Sequence, residues 1–225
     1  MARPLAVLLD VDFTLVRPGP ELGPEAYRTL GEAHGLRLDI DQYADARAAA
    51  VDDLERHPEL DHDEEVWIRF TEDIVRGMGG EGPEVGIVAR EIVGRWEHAR
   101  HFELYDDVVP VLAELKEQGL KVGLVSNTSR DLAAFVRHFG IEVDAWISSG
   151  SHGKVKPSPL IFAAALELLE VEAADAVMVG DSLEDDVEGA RACGMRAILI
   201  DRAGRFPEQE GRIESLRELP AALAV

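Results

Sequence analysis

The stretch LLDVDFTLV, residues 8–16, decides how this chain folds. Its apolar residues extend the run LAVLL (5–9), which reads as a fully buried strand, yet Asp10 and Asp12 follow one residue apart. An unpaired carboxylate in low dielectric is strongly unfavourable, or it gives up its ionisation. The pair therefore sits at the open end of the strand, or meets a cation, or both.

Downstream, VRPGPELGP (16–24) breaks all periodicity with three prolines and two glycines, as a linker or hinge does. From Pro24 to about Arg100 the pattern is helical. Val85, Val88, Ile92 and Trp96 recur on one face, as do Trp67, Phe70, Ile74 and Met78. This predicts four helices near 24–34, 40–56, 63–78 and 83–98, with no strand between them. After HFELYDD (101–107) the texture changes to alternation. Strands are expected at 121–126, 145–148, 176–180 and 196–200. Helices are expected at 107–118, 130–139, 159–169, 184–192 and near 214–223. Ser158-Pro159 is a sound helix start, a capping hydroxyl before a proline at the first helical position. Strands alternating with helices mean an α/β fold, a doubly wound parallel sheet with helices on both faces. The domain reading is a core of residues 1–16 and 104–225, with an all-helical domain, 17–103, inserted after the first strand.

In such a sheet, functional groups collect beyond the carboxyl ends of the strands. The first strand ends DVDFT (10–14), the second VSNTS (125–129) and the fourth VGDSLEDD (179–186), while GKVKPSP (153–159) brings a lysine ahead of a capped helix. Three or four crowded carboxylates repel unless a cation holds them. Hard oxygens without a paired His or Cys point to Mg²⁺ rather than zinc. Lys156 and Ser126 would supply a positive charge and a hydroxyl donor to a phosphoryl group. One Asp can attack as nucleophile while its neighbour protonates the leaving oxygen.

DVDFT, VSN, the lysine of KVKPSP and GDSLEDD, in this order, resemble the four signature motifs of the haloacid dehalogenase-like hydrolase superfamily. The helical insertion resembles the α-helical cap of its subclass I, over a Rossmann-like core. Singly each motif is weak; four in order at the expected elements are specific. The resemblance implies a Mg²⁺-dependent phosphatase acting on a small phosphorylated metabolite through an aspartyl-phosphate. By the same resemblance Asp10 is the nucleophile and Asp12 the general acid/base, whose backbone carbonyl ligates the metal. Thr14 positions that loop and, with Ser126 and Asn127, binds the phosphoryl group. Lys156 neutralises nucleophile and phosphoryl, Asp181 completes the metal ligands with Asp10 and Asp12, and Asp186 orients the site from outside. Phe13 departs from the glycine many members carry, and Asp185 from a common asparagine. A phosphomutase is the alternative; a 2-haloacid dehalogenase is disfavoured because the resembling dehalogenases lack the second aspartate, and a non-catalytic binding protein because no group of the set is missing.

Composition narrows the partners. The formal net charge of −21 argues against nucleic acid or an anionic membrane, both of which need Lys/Arg footprints. The expected partner is a small phosphate ester, with the chain a monomer or homodimer. Cys193 is the only cysteine, so no intramolecular disulfide forms. The apolar stretch before Asp10 is too short for a signal peptide or a span, which together with the single cysteine reads as cytoplasmic. Four lysines are present, and only Lys156 precedes a proline in the motif; Lys154 reads as solvated. His57 and His62 read as parts of an acidic loop, while His98 and His101 are placed where a substrate could be touched. Arg69, Arg76 and Arg95 are candidates for a second anionic group, or simply solvated helix faces. Trp67 and Trp96 read as packing residues, and Cys193 as a small buried side chain against the sheet.

Overall fold

The computed structural model describes residues 3–56 and 64–224. His57 and His62 lie outside the described residues. The chain divides into two compact units, residues 1–17 with 103–225, and residues 18–102.

The first unit is built on five parallel strands in the order β5-β4-β1-β6-β7. They are β1 (Ala6–Leu9), β4 (Lys121–Ser126), β5 (Ala145–Ser148), β6 (Ala176–Gly180) and β7 (Arg196–Leu199). β1 is the central strand because all four of its residues are apolar and fully buried, a pattern that only a strand covered on both faces can carry. It pairs with β4 on one side and β6 on the other, Leu9 standing opposite both Leu124 and Val179. The chain runs from β1 outward through β4 to β5, then returns to the other side for β6 and β7. The loops after β4, β1 and β6 therefore emerge side by side where the winding reverses, the place where open α/β sheets bind ligands.

Helices cover the sheet. α5 (Val108–Glu117) precedes β4, α6 (Leu132–Phe139) and the short α7 (Ser149–His152) flank β5, and α8 (Pro159–Leu169) leads to β6. One face of the sheet is filled by Ala6, Leu8, Val125, Ile147 and Met178 against Ile161, Phe162, Leu166 and Leu169 of α8. Close packing here depends on Gly123: a Cβ would stand 2.8 Å from Leu8 and 2.9 Å from Leu169. Cys193 packs half-buried against this same cluster.

Some elements differ from the sequence pattern. The expected helix over 184–192 is a π-helical turn, Leu183–Glu188, running into the short α9 (Gly189–Ala192). The last helix is confined to α10 (Leu219–Leu223), preceded by a 3₁₀ turn capped by Ser215. Two three-residue strands, β2 (Val16–Pro18) and β3 (Phe102–Leu104), form a separate two-stranded sheet in segments read as irregular. Runs of three residues, one of them with a proline, give no alternation to detect.

The second unit contains α1 (Pro24–Ala33), α2 (Tyr43–Glu55), α3 (Glu64–Gly77) and α4 (Glu84–Trp96). Its core is Tyr27, Leu30, Phe70, Ile74, Met78, Val85, Val88 and Ile92, with Trp67 and Trp96 stacked at 6.3 Å between centroids at its margin. No helix among the described residues is long and apolar enough to cross a membrane.

Candidate active site

The apolar strands deliver polar residues only at their carboxyl ends. Asp10 follows β1, with its backbone N–H bonded across to Val179 O at 2.9 Å, and it is 6% exposed. Ser126 is the last residue of β4 and is buried; Asp181 follows Gly180 at the end of β6. Asp186 comes from the π-helical turn, where Ser182 caps the chain by accepting from Asp185 N at 3.1 Å. The turn brings the Asp186 carboxylate back over the end of β6. A Cβ on Gly180 would lie 2.1 Å from Asp186 Oδ2, so only glycine admits this carboxylate.

Lys156 joins the loops. Its Nζ donates to Asp10 Oδ1 at 2.5 Å and to Asp186 Oδ1 at 2.6 Å, and the residue is 3% exposed. Asp186 Oδ2 accepts from Ser182 N at 3.1 Å. The backbone of Lys156 is itself held: its N–H donates to Asn127 Oδ1 at 2.7 Å, and Asn127 Nδ2 donates to its carbonyl at 3.0 Å. The Asn127 side chain is thus spent on aiming the lysine, with a longer 3.4 Å bond from Nδ2 to Asp185. Asp10, Asp181 and Asp186 each place one carboxylate oxygen within 4.8 Å of the others.

Burial of this group has an electrostatic cost that the pKa values register. Desolvation pushes Asp10 well above the ordinary carboxylate range, with Lys156 pulling down and Asp186 and Asp181 pushing up. Asp181 is pushed up to about 7 by burial and by Asp186, against Arg205 and Lys156. For Lys156 desolvation acts downward, but Asp10 and Asp186 outweigh it and hold the ammonium firmly protonated. Three carboxylates against the Lys156 ammonium and the Arg205 guanidinium leave the group net negative when all are ionised. A divalent cation fits that balance, and a donor set made only of hard oxygens suits Mg²⁺.

The remaining expected residues lie on the same loops. Thr14 is fully buried; its Oγ1 makes no hydrogen bond among the described residues, while its carbonyl accepts from Arg202 Nη2 at 2.8 Å and Nε at 3.1 Å. Phe13 adopts φ +60°, the left-handed region, which explains physically why glycine suits this position. Asp12 accepts from Arg130 Nη1 at 3.1 Å. Lys154 is exposed.

Three arginines were not foreseen. Arg130 is 3% exposed and pairs with Asp12; the signal available was that it is the only basic residue between Lys121 and Arg137, in a loop at the sheet's carboxyl end. Arg205 donates to Asp181 Oδ2 at 2.8 Å. Arg202 grips Asp107 through two bonds, 2.8 and 2.9 Å, besides the Thr14 carbonyl. Of the other candidates, His101 is buried with its ring nitrogen against Glu21, Arg95 donates to the Glu21 carbonyl at 3.0 Å, and Arg76 pairs with Glu72 at 2.8 Å.

The sequence profile of the haloacid dehalogenase-like hydrolases matches residues 4–194. The chain belongs to this hydrolase family. This hydrolase is 31% identical over 220 residues to a glyceraldehyde 3-phosphate phosphatase of Methanopyrus kandleri, covering 92% of this chain and 88% of the other. It is 27% identical to a ribulose-1,5-bisphosphate 5-phosphatase of Halopiger xanaduensis, covering 87% and 84%. Among solved structures, a phosphatase of the same family from Thermococcus onnurineus aligns over 97% of each chain, with 28% identity and a TM-score of 0.63.

Proposed function

We propose that this hydrolase is a Mg²⁺-dependent phosphomonoesterase that acts on a small phosphorylated metabolite through an aspartyl-phosphate on Asp10. The observation that carries the reading is Lys156 Nζ set between Asp10 and Asp186, in one buried group with Asp181. The relatives named as phosphatases of a triose phosphate and a sugar bisphosphate support the substrate class.

Asp10 attacks phosphorus; an Asp–O–P bond forms as the bond from phosphorus to the leaving oxygen breaks. Asp12 gives its proton to that oxygen, then takes one from the water that attacks the aspartyl-phosphate, releasing inorganic phosphate and free Asp10. Lys156 screens the repulsion between a carboxylate nucleophile and an anionic phosphoryl group, and stays charged throughout because two carboxylates flank it. Ser126, Thr14 and the Asn127 backbone hold phosphoryl oxygens; the buried Thr14 hydroxyl has no competing partner among the described residues. Asn127's side chain fixes the lysine on which the others depend. Mg²⁺ would be held by the Asp10 and Asp181 carboxylates and the Asp12 carbonyl, with Asp186 orienting the set, and would supply charge for the transferring phosphoryl group. Residues 17–103 are assigned as a cap domain that sets which metabolite is accepted, with 1–16 and 104–225 as the catalytic core.

The test is phosphate release over a panel of phosphoglycolate, triose and sugar phosphates and nucleoside monophosphates, with Mg²⁺ or with chelator. Release with Mg²⁺, lost with chelator and lost in Asp10→Asn at unchanged circular dichroism, is the expected result. Near-normal turnover by Asp10→Asn would remove the nucleophile assignment, and an isomerised product without free phosphate would make the enzyme a mutase.

A further inference from the structure

The segment after β7, DRAGRF (201–206), lies outside the four motifs, yet its two arginines reach the two loops that carry the carboxylates. Asp201, 2% exposed, ties this segment into a knot: it accepts from the backbone N–H of Arg205 and of Phe206, each at 2.8 Å, across a left-handed Gly204. Arg205 extends from this fixed backbone, with its guanidinium 5.2 Å from the Phe206 ring centroid. Its Nη2 donates to Asp181 at two points, Oδ2 at 2.8 Å and the backbone carbonyl at 2.9 Å. Anchored at both carbonyl and carboxylate, Asp181 is not free to rotate its side chain. Its Oδ2 is engaged by the guanidinium, which biases a cation in the acidic group toward the other Asp181 oxygen.

We propose that Arg205 is a positioning residue that makes Asp181 a one-oxygen ligand and so favours Mg²⁺ over Ca²⁺. The inference rests on the metal reading above. Mg²⁺ demands six ligands at about 2.0–2.1 Å in near-octahedral array, which single oxygens supply. Ca²⁺ takes about six to eight ligands at about 2.3–2.6 Å and gains from carboxylates that bind through both oxygens. Withholding Oδ2 therefore costs Ca²⁺ a ligand and costs Mg²⁺ nothing.

Removing Arg205 has two effects that must be separated. Loss of a positive charge strengthens binding of any divalent ion alike, whereas freeing Oδ2 helps only the larger one. The ratio of affinities isolates the second effect. Mn²⁺ bound to the full chain is followed by electron paramagnetic resonance and displaced with Mg²⁺ or Ca²⁺, in the wild type, Arg205→Ala and Arg205→Lys. Arg205 is 39% exposed at its side chain, so truncation leaves no core void. The expected result is a roughly tenfold shift of the Mg²⁺/Ca²⁺ preference toward Ca²⁺ in Arg205→Ala, the scale on which partners of ligating groups act. Arg205→Lys, which keeps charge and donors, stays within about threefold of the wild type by the same measure. A preference unchanged in Arg205→Ala overturns the proposal while leaving the metal site intact. Absence of Mn²⁺ binding to the wild type overturns the metal reading and this inference with it.

Discussion

Replacing Lys156 with Met is the sharpest probe of the buried charge cluster. The ammonium is 3% exposed and bonds two carboxylates at 2.5 and 2.6 Å, so its removal leaves Asp10 and Asp186 facing each other without a cation. Removing one partner of a buried ion pair costs about 3–5 kcal/mol. For a chain of this size that corresponds to a fall in Tm of about 10 °C. The loss depends on pH in a calculable direction. Asp10 already sits well above its ordinary value of 3.8 through burial, and Lys156 is the strongest influence holding it down. In Lys156→Met it rises further, so the folded state keeps a proton that the unfolded chain has shed. Folding then binds protons, and stability falls as pH climbs from about 4 through the folded pKa of Asp10. Thermal unfolding with chelator at pH 5 and pH 8 should therefore show a small deficit at pH 5 and the full deficit at pH 8. An equal deficit at both would refute the argument, because a merely steric defect is blind to proton activity. Restoration of the pH 8 deficit by millimolar Mg²⁺ would accompany the expected result.

Two further outcomes follow from neighbouring geometry. Phe13 holds φ +60°, so Phe13→Gly should be more stable than Phe13→Ala by about 1 kcal/mol in chemical denaturation, reversing the usual order of alanine and glycine; both variants lose the ring, and only glycine relieves the backbone. Asn127→Ala removes both bonds that hold the Lys156 backbone, and about 1.4 kcal/mol of lost positioning predicts a tenfold lower kcat with KM within about twofold, read by steady-state phosphate release.

The groups that define this site were legible where their chemistry conflicts with their surroundings. Asp10 and Asp181 stood out because a carboxylate directly after four or five buried apolar residues demands a reason. Lys156 stood out because lysine is scarce here and this one precedes Pro157 and a capped helix. The sheet was legible for the same reason, since strands buried on both faces leave unbroken apolar runs. Arginine gave no such contrast. Arg130, Arg202 and Arg205 are three among many, and nothing local marks them as inward-facing; what selects them is an acid at Asp12, Asp107 or Asp181 that the fold brings close. The π-helical turn over Leu183–Glu188 was equally silent, because LEDDVE satisfies ordinary helical spacing. It is the demand of Asp186 to reach both Lys156 and the Ser182 N–H that accompanies the wider turn.

Asp107 carries a consequence that reaches the far end of the chain. It is almost fully buried, held by Arg202, and also accepts from Ser215 Oγ at 2.6 Å and Leu216 N at 2.9 Å; burial pushes its pKa up, but these donors together hold it below the ordinary value. Since the same Arg202 supports the Thr14 carbonyl, the segment at Ser215 and Leu216 acts as a buttress for the turn after β1, although roughly 200 positions separate them. Removing the Ser215 and Leu216 contacts to Asp107 would slacken, through Arg202, the turn that carries Asp12.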